Sequence, residues 1–134
     1  MIIKKPPIKP TNLREYECDL VIDGQYFTKL EISPYYEKHN QEYLDALARK
    51  GIKLIPELAE KLISDDLIRK VLVPQLVSKE EIRIDSRYYQ YTYYYYVPLY
   101  SNNKAYKLIW CCDDNNPHIL GIMDCFRVEK FDKG

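Results

Sequence analysis

Few residues in this chain are equipped to move a proton or hold a phosphate. His39 stands in "PYYEKHNQ" and is one of two histidines; imidazole exchanges protons closest to neutrality. Lys38 precedes it. Lys107 in "YKLIW" and Arg127 in "DCFRV" bring two more cations. Strand alternation sets Lys107 against Tyr106 and Leu108, and Arg127 against Phe126 and Val128. The two are therefore expected on neighbouring strands, sharing a face. Such a pair grips a phosphate or lines a solvated sheet face. Glu37 and Asp124 are carboxylates suited to acid–base work. At helical spacing His39 groups with Tyr36, Tyr43 and Ala46, a pattern that also fits a half-buried core histidine. His118 follows a turn proline and is expected to be exposed. No Ser-His-Asp spacing, P-loop or dinucleotide fingerprint occurs. Cys111, Cys112, His118 and Cys125 match no common zinc spacing, and the three cysteines read as buried free thiols. No metal and no cofactor is expected.

The elements that must position these residues follow from local signals. Residues 1–13 are rich in Pro and Lys and read as an extended arm; residues 14–134 read as a single domain. Cys18–Ile22 and Tyr26–Ile32 read as strands around an Asp23-Gly24 hairpin turn. Ser33-Pro34 opens a helix that runs to Lys50 and stops at Gly51. A second helical stretch starts near Pro56, with a fresh cap at Ser64 and a break at Pro74. One kinked helix and two helices are both compatible with residues 56–77. Three strands follow: Arg87 to about Leu99, Lys104–Cys112 and His118–Val128, joined by short polar turns. The expectation is an α+β fold: an N-terminal β-hairpin, two to three helices, then a three-stranded antiparallel meander. The helices pack on one face of the sheet.

The composition narrows the function classes. The chain has 134 residues, 20 Lys plus Arg and 20 Asp plus Glu, so its net charge is zero. Residues 1–67 hold 10 cations against 12 anions, and residues 68–134 hold 10 against 8. That faint tilt argues against a strong, sequence-blind grip on nucleic acid. No stretch resembles a signal-peptide core or a membrane span, which predicts a cytoplasmic protein without membrane contact. Seven of the 14 tyrosines fall between Tyr88 and Tyr96. This segment suits a platform for stacked bases, a partner-binding or self-associating surface, or a half-buried strand.

Four segments carry a family resemblance: "LEISPYYEKH", "ISDDLIRKVL", "YKLIW" and "ILGIMDCFRV". Together with the element order they resemble small bacterial toxin-like proteins of the RelE and ParE type, in the wider barnase–colicin–RelE group of ribonuclease folds. A "Y-[RK]-L-[IV]" strand followed by a Gly-containing strand ending in Arg is typical of that group. The resemblance covers about residues 18–130. It implies a toxin of a toxin–antitoxin pair that cleaves RNA, free or on the ribosome, and is held by a small antitoxin-like partner. The chemistry it implies is attack by the ribose 2′-OH. His39 would serve as base or acid, Lys107 and Arg127 would stabilise charge, Lys38 would lie beside them, and Tyr95 would stack or transfer a proton. The chain departs from the group in its neutral charge and in carrying Lys107 where Arg is frequent. Lysine lacks the planar two-pronged grip of arginine. A non-catalytic binding or oligomerising module built on the tyrosine strand is the alternative.

Overall fold

The computed structural model describes residues 12–80 and 82–134. Most of the expected 1–13 arm lies outside them. β1 (Arg14–Ile22) and β2 (Gln25–Ile32) form the expected hairpin, turning through Asp23 and Gly24 at φ 50° and 80°. Both turn residues need the left-handed region, which glycine and aspartate reach at low cost. Ser33 then accepts a hydrogen bond from the Tyr35 N–H, and a 3-10 turn over Pro34–Tyr36 leads into α1 (Glu37–Arg49). Gly51, at φ 67°, ends it.

Residues 56–77 form neither one kinked helix nor two regular ones. A single turn, α2 (Pro56–Ala59), is followed by a break. The Ser64 hydroxyl caps the next start by accepting from the Leu67 N–H at 3.0 Å. The chain then winds as a π-type turn over Leu67–Leu72, as α3 over Val73–Gln75, and as a 3-10 turn over Leu76–Ser78. Pro74 has no N–H to donate, and its ring crowds the carbonyl one turn back. The wide turn just before it accommodates that clash.

The second half corrects the expected meander. The segment read as one strand from Arg87 is two strands, β3 (Arg83–Tyr88) and β4 (Tyr91–Ser101), folded about Tyr89 and Gln90. Tyr89 sits at φ 53°, a conformation bulky residues rarely adopt. No Gly, Asn or Pro marks this turn, so the tyrosine run reads as continuous strand. β5 (Lys104–Asp113) and β6 (Asn116–Arg127) complete four antiparallel strands rather than three. β2 also pairs in parallel with β6, Lys29–Ile32 against Ile119–Ile122. The result is one six-stranded mixed sheet in the order β1-β2-β6-β5-β4-β3. The fold is α+β. A parallel pairing needs a long crossover, and here it spans the helices and three strands, so no local pattern announces it.

One sheet face carries the main core. Phe27, Leu30, Ile32, Leu99, Tyr106, Leu108, Trp110, Leu120, Ile122 and Cys125 meet Tyr36, Ile63, Ile68, Leu72, Val73 and Leu76 from the helical segments. The other face holds a small cluster of Tyr93, Cys111 and Met123, flanked by Leu13, Tyr88, Tyr91 and Ile109. No helix among the described residues is long and apolar enough to cross a membrane.

Candidate functional site

β6 outruns β2. The Ser33 N–H donates to the Ile122 carbonyl, and there the chain leaves the sheet for the 3-10 turn and α1. The last third of β6 therefore has α1 rather than a strand beside it. This edge is where His39 meets Asp124, 85 residues apart in the chain. His39 Nε2 lies 2.9 Å and 3.1 Å from the two Asp124 oxygens. The carboxylate side chain is 8% exposed and the imidazole 28%. Asp124 Oδ1 also accepts the Cys125 N–H at 2.8 Å. In the neutral imidazole an Nε2–H facing the carboxylate leaves the lone pair on Nδ1. A buried acid that orients a part-exposed imidazole is the arrangement of a general base.

A bulge aims Asp124. Ile122 and Cys125 both point into the main core, although they are three positions apart. Strict alternation forbids this, and the β5–β6 register shifts at this point: Ile109 opposes Asp124, but Trp110 opposes Ile122. The extra residue reverses the parity of the strand end. Tyr106 then opposes Arg127, and Lys107 opposes Phe126. Directly opposed residues share a face. Lys107 therefore lies on the outer face with Phe126, and Arg127 lies on the helix-covered face with Tyr106. The expected shared face of Lys107 and Arg127 does not form.

Four of the five candidate residues do gather. The His39 ring lies 5.6 Å from Phe126 and 5.8 Å from Tyr35. The Lys38 ammonium sits over Tyr35 at 5.7 Å. The Lys107 ammonium lies 5.9 Å from the Phe126 ring and 4.6 Å from the Tyr95 ring. Each lysine is thus one aromatic ring away from His39. The row Lys38, Tyr35, His39, Phe126, Lys107, Tyr95 sets rings beside cations, which suits a single nucleic-acid strand with stacked bases and a charged backbone.

Beside His39 opens a cavity of about 320 Å³, lined by Tyr43, Lys61, Ile63, Phe126, Arg127 and Glu129 among others. Arg127 faces it from the other side of the strand, but its charge is engaged. Nη1 and Nη2 donate to the two Asp132 oxygens, each at 2.7 Å. These hydrogen bonds pull the Asp132 carboxyl well below the usual carboxylate range.

Cys111 and Cys125 are buried as expected, whereas Cys112 is half-buried. Adjacent Cys111 and Cys112 join the clusters on opposite faces, as strand neighbours must. Burial pushes both thiols up to about 12, and Cys125 well above its ordinary value. No group of three metal-ligating side chains occurs among the described residues. His118 is exposed, and Glu37 lies 3.8 Å from Arg14 rather than at His39. Sequence reasoning passed over Phe126, Tyr35 and Lys61 as site residues. Phe126 reaches His39 through the β6 bulge and Lys61 through the packing of the chain after Ala59; Tyr35 stands four residues before His39, a helical spacing that the sequence does show. No family model matches the chain, and no curated protein or solved structure matches it either.

Proposed function

We propose that this protein is a toxin-like endoribonuclease that cuts single-stranded RNA by 2′-OH transphosphorylation. The observation that carries the reading is the His39–Asp124 dyad, with Lys38 and Lys107 each lying over a ring that neighbours His39. His39 Nδ1 takes the 2′-OH proton. The 2′-oxygen attacks phosphorus and the bond to the 5′-oxygen breaks, leaving a 2′,3′-cyclic phosphate. Tyr95, touching Lys107, is the candidate to protonate the departing 5′-oxygen. Lys38 and Lys107 offset the charge that builds on the phosphoryl oxygens. Asp124 positions His39 and does not touch the substrate. The cytoplasm, with ribosome-bound or free RNA, is the setting this activity requires, and a small antitoxin-like protein covering the His39 edge is the partner it calls for.

The tyrosine segment gives less support to a binding module. Tyr93 is buried, and Tyr94 stacks on Trp110 at 5.8 Å, so much of the run is packing.

Purified protein incubated with cellular RNA, with and without translating ribosomes, tests the proposal. Fragments ending in 2′,3′-cyclic phosphate are expected, with the same oligonucleotide in DNA left intact. Absence of cleavage under both conditions would overturn it.

A further inference from the structure

The surroundings of Arg127 point to a second anion site. Asp132 accepts from Arg127 Nη1 and Nη2 at 2.7 Å each, and from the Ala105 N–H at 2.7 Å. Three N–H donors converging on two oxygens form an anion site, and a forked guanidinium fits the two free oxygens of a phosphodiester as well as a carboxylate. A further donor, Arg127 Nε–H, is buried without a partner among the described residues. The carboxylate that fills the site comes from a lightly held segment. Residues 129–134 are exposed throughout. Their other ties to the sheet include Lys133 N–H to the Asn103 carbonyl, the Tyr100 hydroxyl to the Phe131 carbonyl, and Lys133 over the Tyr100 ring. A segment whose residues are all exposed opens at low cost. Arg127 and Lys61 both line the cavity beside His39.

We infer that the Arg127–Ala105 pair is a latent phosphate site, closed in the free protein by Asp132 and opened when an RNA phosphate displaces that carboxylate. The inference rests on the ribonuclease reading for the identity of the anion, not for the existence of the site. In this scheme the end of the chain competes with substrate, and RNA binding releases it.

Calorimetric titration tests this with two probes: a short single-stranded 2′-O-methyl RNA, which cannot be cut, and inorganic phosphate. Asp132→Asn and Asp132→Ala should each bind the RNA about ten-fold more tightly than wild type, and the gain should vanish when Arg127→Ala is added. Unchanged or weaker binding by a folded Asp132→Asn overturns the inference. In the wild type, the Ala105 amide and Arg127 Nε–H resonances should shift on adding the RNA; no shift also overturns it. Tighter binding with no cleavage by any variant keeps the latent site and removes the nuclease. Cleavage by wild type with no gain in Asp132→Asn does the reverse.

Discussion

At the scale of single residues, the His39–Asp124 contact carries the most consequence. His39→Ala should lower cleavage by about 10²–10⁴-fold, the usual contribution of a positioned base. Asp124→Asn keeps an oxygen for the Cys125 N–H but offers the imidazole either an acceptor or a donor, so the tautomer is no longer fixed. A loss of about 10–100-fold in kcat, with KM little changed, is expected from steady-state kinetics on a short RNA. Lys107→Ala should also lower kcat more than it raises KM, because its ammonium is placed to offset charge that builds on the phosphoryl oxygens. A raised KM with kcat unchanged would limit Lys107 to holding the RNA strand. His39, Lys38 and Lys107 were legible as candidates from residue type, and Tyr95 only through the family resemblance. Their mutual arrangement was not, because it depends on one bulge. Residue type likewise marked Arg127, but strand alternation alone placed it on the wrong face.

At the scale of elements, the helical layer is tied to the β1 edge by one carboxylate. Asp65 accepts from Arg14 Nε and Nη2 at 2.6 Å and 2.8 Å, from the Tyr16 hydroxyl at 2.5 Å and from the Tyr36 hydroxyl at 2.7 Å. The network joins β1, the Pro34–Tyr36 turn and the start of the segment capped by Ser64. Burial pushes the Asp65 carboxyl up, but the bonds from Arg14, Tyr16 and Tyr36 outweigh it and bring the pKa from 3.8 down to about 2. Asp65 is thus depressed in the folded state. Its contribution is complete above the unfolded value and disappears as pH falls through the folded one. For a side chain 13% exposed, that contribution is about 2 kcal/mol. Denaturant unfolding of wild type should lose about that much more than Asp65→Asn between about pH 5 and about pH 2; parallel pH curves would show that the network does not stabilise the fold. The capping serine, the hairpin turn and the stop at Gly51 were legible because each rests on local backbone chemistry. The turn at Tyr89 was not, because no turn-forming residue marks it, and the π-type turn was not, because Pro74 signals a break without saying how the chain absorbs it.

At the scale of the whole molecule, the sheet is joined at its middle and guarded at its rims. Leu120 is fully buried on β6, between β2 and β5, where the hairpin and the four-stranded unit become one sheet. Leu120→Ala should cost about 2–5 kcal/mol in chemical denaturation, through lost burial and the cavity left behind. The rim strands carry register shifts, between Glu17 and Leu20 on β1 and between Ile84 and Ser86 on β3. Glu15, Glu17, Asp19, Arg83 and Asp85 lie along them. Bulges and charges discourage strand-to-strand association. Replacing Arg83 and Asp85 together by Val should make the protein self-associate with rising concentration in size-exclusion chromatography, the exposed Ile84 between them adding to the apolar edge. An unchanged elution volume would mean the bulge alone protects this rim.

The sequence by itself determined the α+β class, the order of hairpin, helices and strands, the caps, and the residue types suited to phosphate chemistry. These depend on side-chain volume, backbone freedom and charge over a few neighbouring positions. Only the tertiary structure decided that β2 runs parallel to β6, that the tyrosine run folds back on itself, and that Asp124 reaches His39. It also turned Arg127 away from Lys107 and onto Asp132. Each of these joins groups far apart in the chain or reverses the parity of a strand, and a two-residue period read along one segment carries no record of an inserted residue until its partner strand is in place.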